Sequence, residues 1–461
     1  MKALKVIVIV VAVLVVLLIL LVGAGVFFTD RYLQSPAFKD QVLKTAHDEL
    51  GTVVRIEEMH ASLFSGVSLR GVTIGNPSGF SNNLVTADAF VLRYRLLPLL
   101  SRRVEIEQLS LDKPVIALAQ NENGEWNYSK IGSKENEAKP APAAPPSATP
   151  AKSENASPSK TGKAVPVDIV LSKLALTQGS LSMVSASNKP LVTVDGINLS
   201  SSVKLTDNKL SGTGKAGIDR INLSDKLIVE KAGTSVTLGP DEVKLSSLEG
   251  QLADGKISGD VTVNYSTGLE YIVNVQLKDS DVAKLLQQAA AKPVTTGKLN
   301  VTTALQGTGG LPSIIGTGRV EVVNGKFMEV PLLNLLATLL QVNVLRDISF
   351  SQFLVEFSIS NNVMQTPVIR LVAPGVQITG KGSVSLDKYT LNHDMTLTFA
   401  KGVLNNAPEI AVLFASQPDG SLTLDFKVTG PYNSPKTDLT KRLAQSLGPK
   451  LLQRGLRELL P

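Results

Sequence analysis

Few residue patterns in this chain have the spacing of reactive groups. Gly212-Thr213-Gly214-Lys215-Ala216-Gly217 matches GxGxxG, the turn that cradles a pyrophosphate between a buried parallel strand and a helix. Its flanks, KLSGTGKAGIDRINLS, alternate apolar and polar residues and carry no helical pattern. The glycines therefore read as relief of crowding in a bending sheet. His47, His60 and His393 are the only histidines and form no HxxxH or related metal spacing, so they are expected to be surface or structural residues. No GxSxG elbow, SxxK or P-loop lysine occurs, and the acidic residues are scattered among turns and outward strand faces. The absence of cysteine removes thiolate zinc sites, iron–sulfur clusters and cysteine nucleophiles. No catalytic residue, metal site or cofactor is expected, and the chain reads as a non-enzyme.

The elements around these residues point to a membrane-attached β protein instead. Val6 to Phe28 is an apolar run of 23 positions, long enough at about 1.5 Å per residue to cross a bilayer core. Lys2 and Lys5 precede it, so the positive-inside bias keeps the N-terminus cytoplasmic and puts the body outside the cytoplasm. A cleaved signal peptide fits less well, because Gly23-Ala24-Gly25 is followed by Val-Phe-Phe rather than by a polar mature start. Residues 132–166 hold seven prolines among Ala, Ser and Lys, a composition that cannot bury enough surface to fold. The expected division is anchor 1–30, an N-terminal β domain 31–131, a disordered linker 132–166, a C-terminal β domain 167–435 and basic amphipathic helices 436–461.

In the N-terminal domain, Phe38, Val42 and Ala46 repeat at helical spacing before Gly51, which is placed to stop a helix. Period-two pairs follow at Val54/Ile56, Val67/Leu69 and Val72/Ile74, with Gly66, Gly71 and Asn76-Pro77 as breaks. Asn123-Gly124 favours a tight hairpin turn after PVIALAQ. Trp126 and Tyr128 would then share one face of a returning strand and close the end of an apolar interior.

The C-terminal domain alternates cleanly. Leu269, Tyr271, Val273, Val275 and Leu277 are apolar, between polar Glu270, Asn274, Gln276 and Lys278. Leu422, Leu424, Phe426 and Val428 repeat the pattern against Thr423, Asp425, Lys427 and Thr429. One dry and one wet face is the mark of antiparallel sheet. Helical patterns are confined to 281–291, 331–343 and the C-terminus. Strands of about eight residues would number about 25 to 30. The expected fold is mainly β: one transmembrane helix, then a long curled antiparallel sheet forming a groove, with a few short capping helices. The nine apolar residues just named are the candidate groove lining. In the tail, Lys450, Arg454 and Arg457 line one side of an amphipathic helix that either docks over the sheet's open end or binds anionic lipid or a partner.

The chain resembles the AsmA family of inner-membrane-anchored periplasmic proteins. The resemblance is carried by the anchor, LGTVVRIEEMHASLFSGVSLRGVTIGNP, and LLPLLSRRVEIEQLSLDKPVIALAQNENGEWNYSKI with its Gly124-x-Trp126-Asn127 signature. A weaker likeness lies in GRVEVVNGKFMEVPLLNLL and VTGPYNSPKTDL. It implies a groove of repeated β-strands with an apolar floor, as in TamB and the bridge-like lipid-transfer proteins, and a part in outer-membrane lipid homeostasis. Phospholipid is then the expected cargo, the bacterial inner membrane the site of attachment and the periplasm the place of the body. The alternative is an envelope scaffold or assembly factor that carries no lipid and has an outer-membrane or other envelope protein as partner. No nucleic acid is expected.

Overall fold

The computed structural model describes residues 30–62, 65–95, 103–131, 168–207, 209–266, 268–291, 294–309, 311–328, 345–405 and 413–439, with isolated positions at 98, 330, 333–334, 337–338, 342, 411 and 441. The run 6–28, the linker 132–166 and the basic tail with Lys450, Arg454 and Arg457 lie outside the described residues. Among the described residues no helix is long and apolar enough to cross a membrane. The chain divides into one unit of residues 1–189 and 198–212 and a second of 190–197 and 213–461.

The first unit opens with helices α1 (Asp30–Leu33) and α2 (Pro36–Leu50). Ser35 caps α2, its side chain accepting the Phe38 N–H at 3.3 Å, and Pro36 stands in the first turn, where a missing N–H costs nothing. Gly51 ends it in the left-handed conformation at φ 67°, donating to His47 O at 2.8 Å. The spacing of Phe38, Val42, Ala46 and Leu50 gives one apolar stripe, and all four are buried.

Strands β1 (Val54–Ser62), β2 (Gly66–Gly75), β3 (Asn83–Arg95) and β4 (Arg103–Asp112) then form an antiparallel meander. Gly71 does not break β2; the strand runs through it at φ 58°. β5 (Val115–Ala119) continues the line of β4 after Lys113-Pro114, and β6 (Asp168–Val184) lies parallel to both. Parallel neighbours need a long crossover, and residues 120–167 supply it.

β7 (Pro190–Thr206) and β8 (Lys209–Leu223) cross the division between the units. The GxGxxG segment lies inside β8, with no helix after it, so the turn-and-helix geometry needed for a pyrophosphate is not formed.

The second unit continues through β9 (Leu227–Leu238), β10 (Glu242–Leu252), β11 (Gly255–Asn264), β12 (Glu270–Asp281), helix α3 (Val282–Gln288), β13 (Thr295–Thr308), β14 (Ile315–Met328), β15 (Asp347–Ser360), β16 (Val363–Ala373), β17 (Val376–Ser385) and β18 (Thr390–Phe399). Two-residue β19 (Ala415–Ser416), then β20 (Leu422–Pro431) and two-residue β21 (Lys436–Thr437) complete it. From β9 to β18 each strand pairs antiparallel with the next; β20 adds to β18, and β19 and β21 cover parts of its outer edge. Strands run up to 17 residues, and the described residues form 21 strands rather than 25 to 30.

Candidate functional site

Both predicted apolar faces belong to one sheet surface. Directly opposed residues in an antiparallel pair point to the same side, so the register can be followed across the second unit. Starting at β10, one row runs Gly250, Ile257, Leu277, Val301, Val320, Val355, Ile369, Gly380, Met395 and Phe426. A second begins at β9 and runs Val236, Leu245, Val261, Val273, Leu305, Gly316, Ile359, Met364, Val384, Leu391 and Gly430. Every member is apolar or glycine. The row on the reverse face runs Asp260, Asn274, Ala304, Thr317, Ser358, Gln365, Ser383, Asn392 and Thr429. At about 4.8 Å per strand, the ten strands of the first row give an apolar track about 43 Å long.

The two ends of this surface differ in what covers them. Leu269, just before β12, and Tyr271, Val273 and Val275 on it are half-buried and Leu277 is buried, whereas Glu270, Asn274, Gln276 and Lys278 are exposed. Ile272 alone interrupts the pattern, an exposed aliphatic on the wet face. On β20, Leu424, Phe426 and Val428 are only 3%, 3% and 4% exposed, with Leu422 half-buried beside them. They sit in a packed cluster with Leu333, Ala337, Leu345, Leu404, Phe414 and Leu439. The chain fills the β20 end itself, whereas among the described residues no packed cluster covers β12 from Tyr271 to Val275.

Glycines keep the surface low where large side chains cross it. A Cβ on Gly318 would fall 2.3 Å from the Phe357 ring, and one on Gly307 2.5 Å from the Tyr271 hydroxyl. The far end of each ring lies over the glycine opposite it.

His393 is buried on the same surface beside Val428, and its Nε2 is 2.9 Å from Thr366 Oγ1. Desolvation pushes its pKa down, partly offset by Asp394. It is a satisfied structural histidine. His47 Nδ1 lies 2.9 Å from Thr52 O, and among the described residues no cluster of three or more His, Cys, Asp or Glu could hold a metal ion.

In the first unit, Gly124 takes φ 76° in a turn closed by Asn121, whose Oδ1 accepts the N–H groups of Asn123 and Glu125 at 3.0 and 2.9 Å. The returning strand reduces to a single bridge, Gln120 with Trp126, and Asn127–Lys130 form a 3-10 turn. The local reason is Asn127. Fully buried, it accepts the Ala119 N–H at 3.2 Å and donates to Ala117 O and Asn76 Oδ1, both at 2.8 Å. A strand would alternate this side chain away from Trp126 and Tyr128; the turn draws it into β5 instead. Trp126 and Tyr128 still stack, at 5.8 Å and 20° between planes, over a cluster with Leu50, Leu84, Val85 and Leu118. The role of Asn127, a polar core lock rather than a turn residue, was not read from the sequence; a lone Asn between two aromatics was its only signal.

The signature and the meander that holds it fall within residues 1–217, which match the family model described as the AsmA family. Residues 1–217 are an AsmA-family region. The matched region ends inside β8, so the track from β9 to β20 lies beyond it. No curated protein and no solved structure matches the chain.

Proposed function

We propose that this protein is a single-pass inner-membrane protein with a periplasmic body, and that it carries phospholipid along the uncovered apolar face of β9–β13 in support of outer-membrane biogenesis. The observation that carries the reading is the apolar track with its half-exposed start. An acyl chain loses about 0.8 kcal/mol per methylene on exposure to water, so passage across an aqueous gap requires a continuous apolar surface. An anchored sheet that is dry on one face and wet on the other meets that need. The chemistry is binding, not catalysis: convergent polar groups of the kind an active site uses do not gather on this surface, where Thr366 and His393 are a satisfied pair.

Mass spectrometry of the full chain extracted from native membranes tests it. Phospholipid should co-purify with the wild type and be lost from Val273→Asp and Val275→Asp while the proteins stay folded. A lipid-free wild type overturns the reading. For topology, a reporter active only outside the cytoplasm, fused after residue 461, should give signal, with the protein retained in the membrane fraction after a carbonate wash.

One observation favours a second reading. The β20 end is filled by the chain's own side chains, as in an envelope scaffold that needs no cargo. Loss of function on removing residues 436–461, with function intact in Val273→Asp, would favour the scaffold.

A further inference from the structure

The two lips of the second unit's sheet differ in construction. At one lip the strands are joined by tight turns at 239–241, 265–269, 361–362 and 386–389, and by a short 3-10 turn, Leu311–Ser313. At the other stand helix α3, which touches β9, β12 and β13, and the longer connections that bring Leu333, Ala337, Leu404 and Phe414 over the surface. Three ion pairs stand at this second lip: Lys284 with Asp254, Lys298 with Asp281, and Lys326 with Asp347.

Aromatic residues divide between these places by polarity, apart from Phe357, which lies over Gly318 three residues before β15 ends at the turn lip. Phe327, Phe350, Phe353, Phe399, Phe414 and Phe426 pack in the cluster toward the covered side. All four tyrosines of the second unit, Tyr265, Tyr271, Tyr389 and Tyr432, stand at or next to the turn lip. Tyr265, Tyr389 and Tyr432 are 39%, 63% and 62% exposed, and the last two meet edge-on at 6.1 Å. Tyr271 lies over Gly307 at the lip end of the floor. A phenol has an apolar ring and a hydrogen-bonding tip, so it is most stable where hydrocarbon meets water. Four phenols along one lip mark such a boundary.

The floor from Tyr271 to Leu277 spans seven residues, six steps or about 20 Å along the strand. The hydrocarbon of one bilayer leaflet is about 15 Å thick. One acyl chain therefore fits across the floor, lip to lip.

Resting on the lipid-carriage reading above, we infer that phospholipid binds the second unit with its headgroup at the turn lip, beside Tyr265 and Tyr271, and its acyl chains along the strands toward the α3 lip. The turn lip is the water-facing side of the track, and the covered lip shields the chain ends.

The test uses the unmodified full chain with phosphatidylethanolamine bearing a photoreactive diazirine either on the headgroup or at the acyl terminus, the adducts being mapped by peptide mass spectrometry. Headgroup adducts should fall on peptides containing 265–269 in roughly tenfold excess over those containing 253–254. Acyl-terminal adducts should show the reverse preference. Equal or inverted distributions overturn the orientation while leaving lipid carriage standing. Absence of both adducts from β9–β13 removes lipid carriage itself, and the orientation with it.

Discussion

Leu277 on β12 and Phe426 on β20 lie on one cross-strand row, linked by direct register through Val301, Val320, Val355, Ile369, Gly380 and Met395. Along it, cover increases from the half-buried neighbours of Leu277 to the packed cluster around Phe426. The same substitution therefore has opposite meanings at the two ends. Leu424→Asp would leave an unpaired charge inside that cluster and should cost at least about 3 kcal/mol, lowering Tm by roughly 6 °C or more. Val273→Asp, half-exposed, should cost about 1 kcal/mol and remove bound phospholipid. Thermal melts with lipid analysis of both variants check the contrast. Equal destabilisation would mean that the β12 face is covered in solution.

Asn127 ties three segments together through Ala117, Ala119 and Asn76. Asn127→Ala should cost about 2–4 kcal/mol, because it leaves buried backbone and amide groups unpaired. Asn127→Asp should be at least as harmful, since it removes both N–H donors and presents a carboxylate to two acceptors. Trp126 is the chain's only tryptophan, so its emission reports the result directly: a red shift at denaturant concentrations where the wild type is unchanged. Unaltered emission and unfolding would show that the turn is held by the stacked rings alone.

What could be read without coordinates was local periodicity. The β12 alternation is a property of consecutive residues, because side chains of a strand point alternately to two faces; the faces follow once the segment is a strand. The stripe Phe38, Val42, Ala46 and the stop at Gly51 were legible for the same reason at helical period. The parallel pairing of β4 and β5 with β6 was not, because partners separated by 120–167 leave no mark in either strand. Nor was the burial of Leu424: whether an apolar face stays open depends on distant segments such as those carrying Leu345 and Phe414. Trp126 and Tyr128 were placed together, but a buried Asn127 overrode the strand that their spacing suggests.

His393 supplies a pH dependence. Its folded pKa is depressed from 6.5 by desolvation, so the unfolded chain binds the extra proton first. The contribution to stability is complete above about 6.5 and is lost as pH falls from there through the folded value. The slope from one group cannot exceed about 1.4 kcal/mol per pH unit. In His393→Gln, which can still bond Thr366, the loss of Tm between pH 7 and pH 5 should be smaller than in the wild type. Parallel profiles would show that His393 binds its proton equally in the folded and unfolded chains, with no depression of its pKa.

The glycines give a final contrast, between a motif and a contact. Gly217 ends the GxGxxG match, yet a Cβ there would meet nothing nearer than Ala232 O at 3.8 Å. Gly217→Ala should change stability by no more than about 0.5 kcal/mol and, with no pyrophosphate turn formed, leave lipid content unchanged. Gly325 belongs to no motif, but a Cβ there would fall 2.3 Å from the Phe350 ring and 2.4 Å from Thr296 O. The ring can turn; the carbonyl is backbone, held in the β13–β14 pair. Gly325→Ala should therefore force the strands apart and cost about 1–3 kcal/mol. Chemical denaturation of the two variants decides between them, and a larger loss at Gly217 than at Gly325 would mean that the GxGxxG glycines do work that strand packing does not account for.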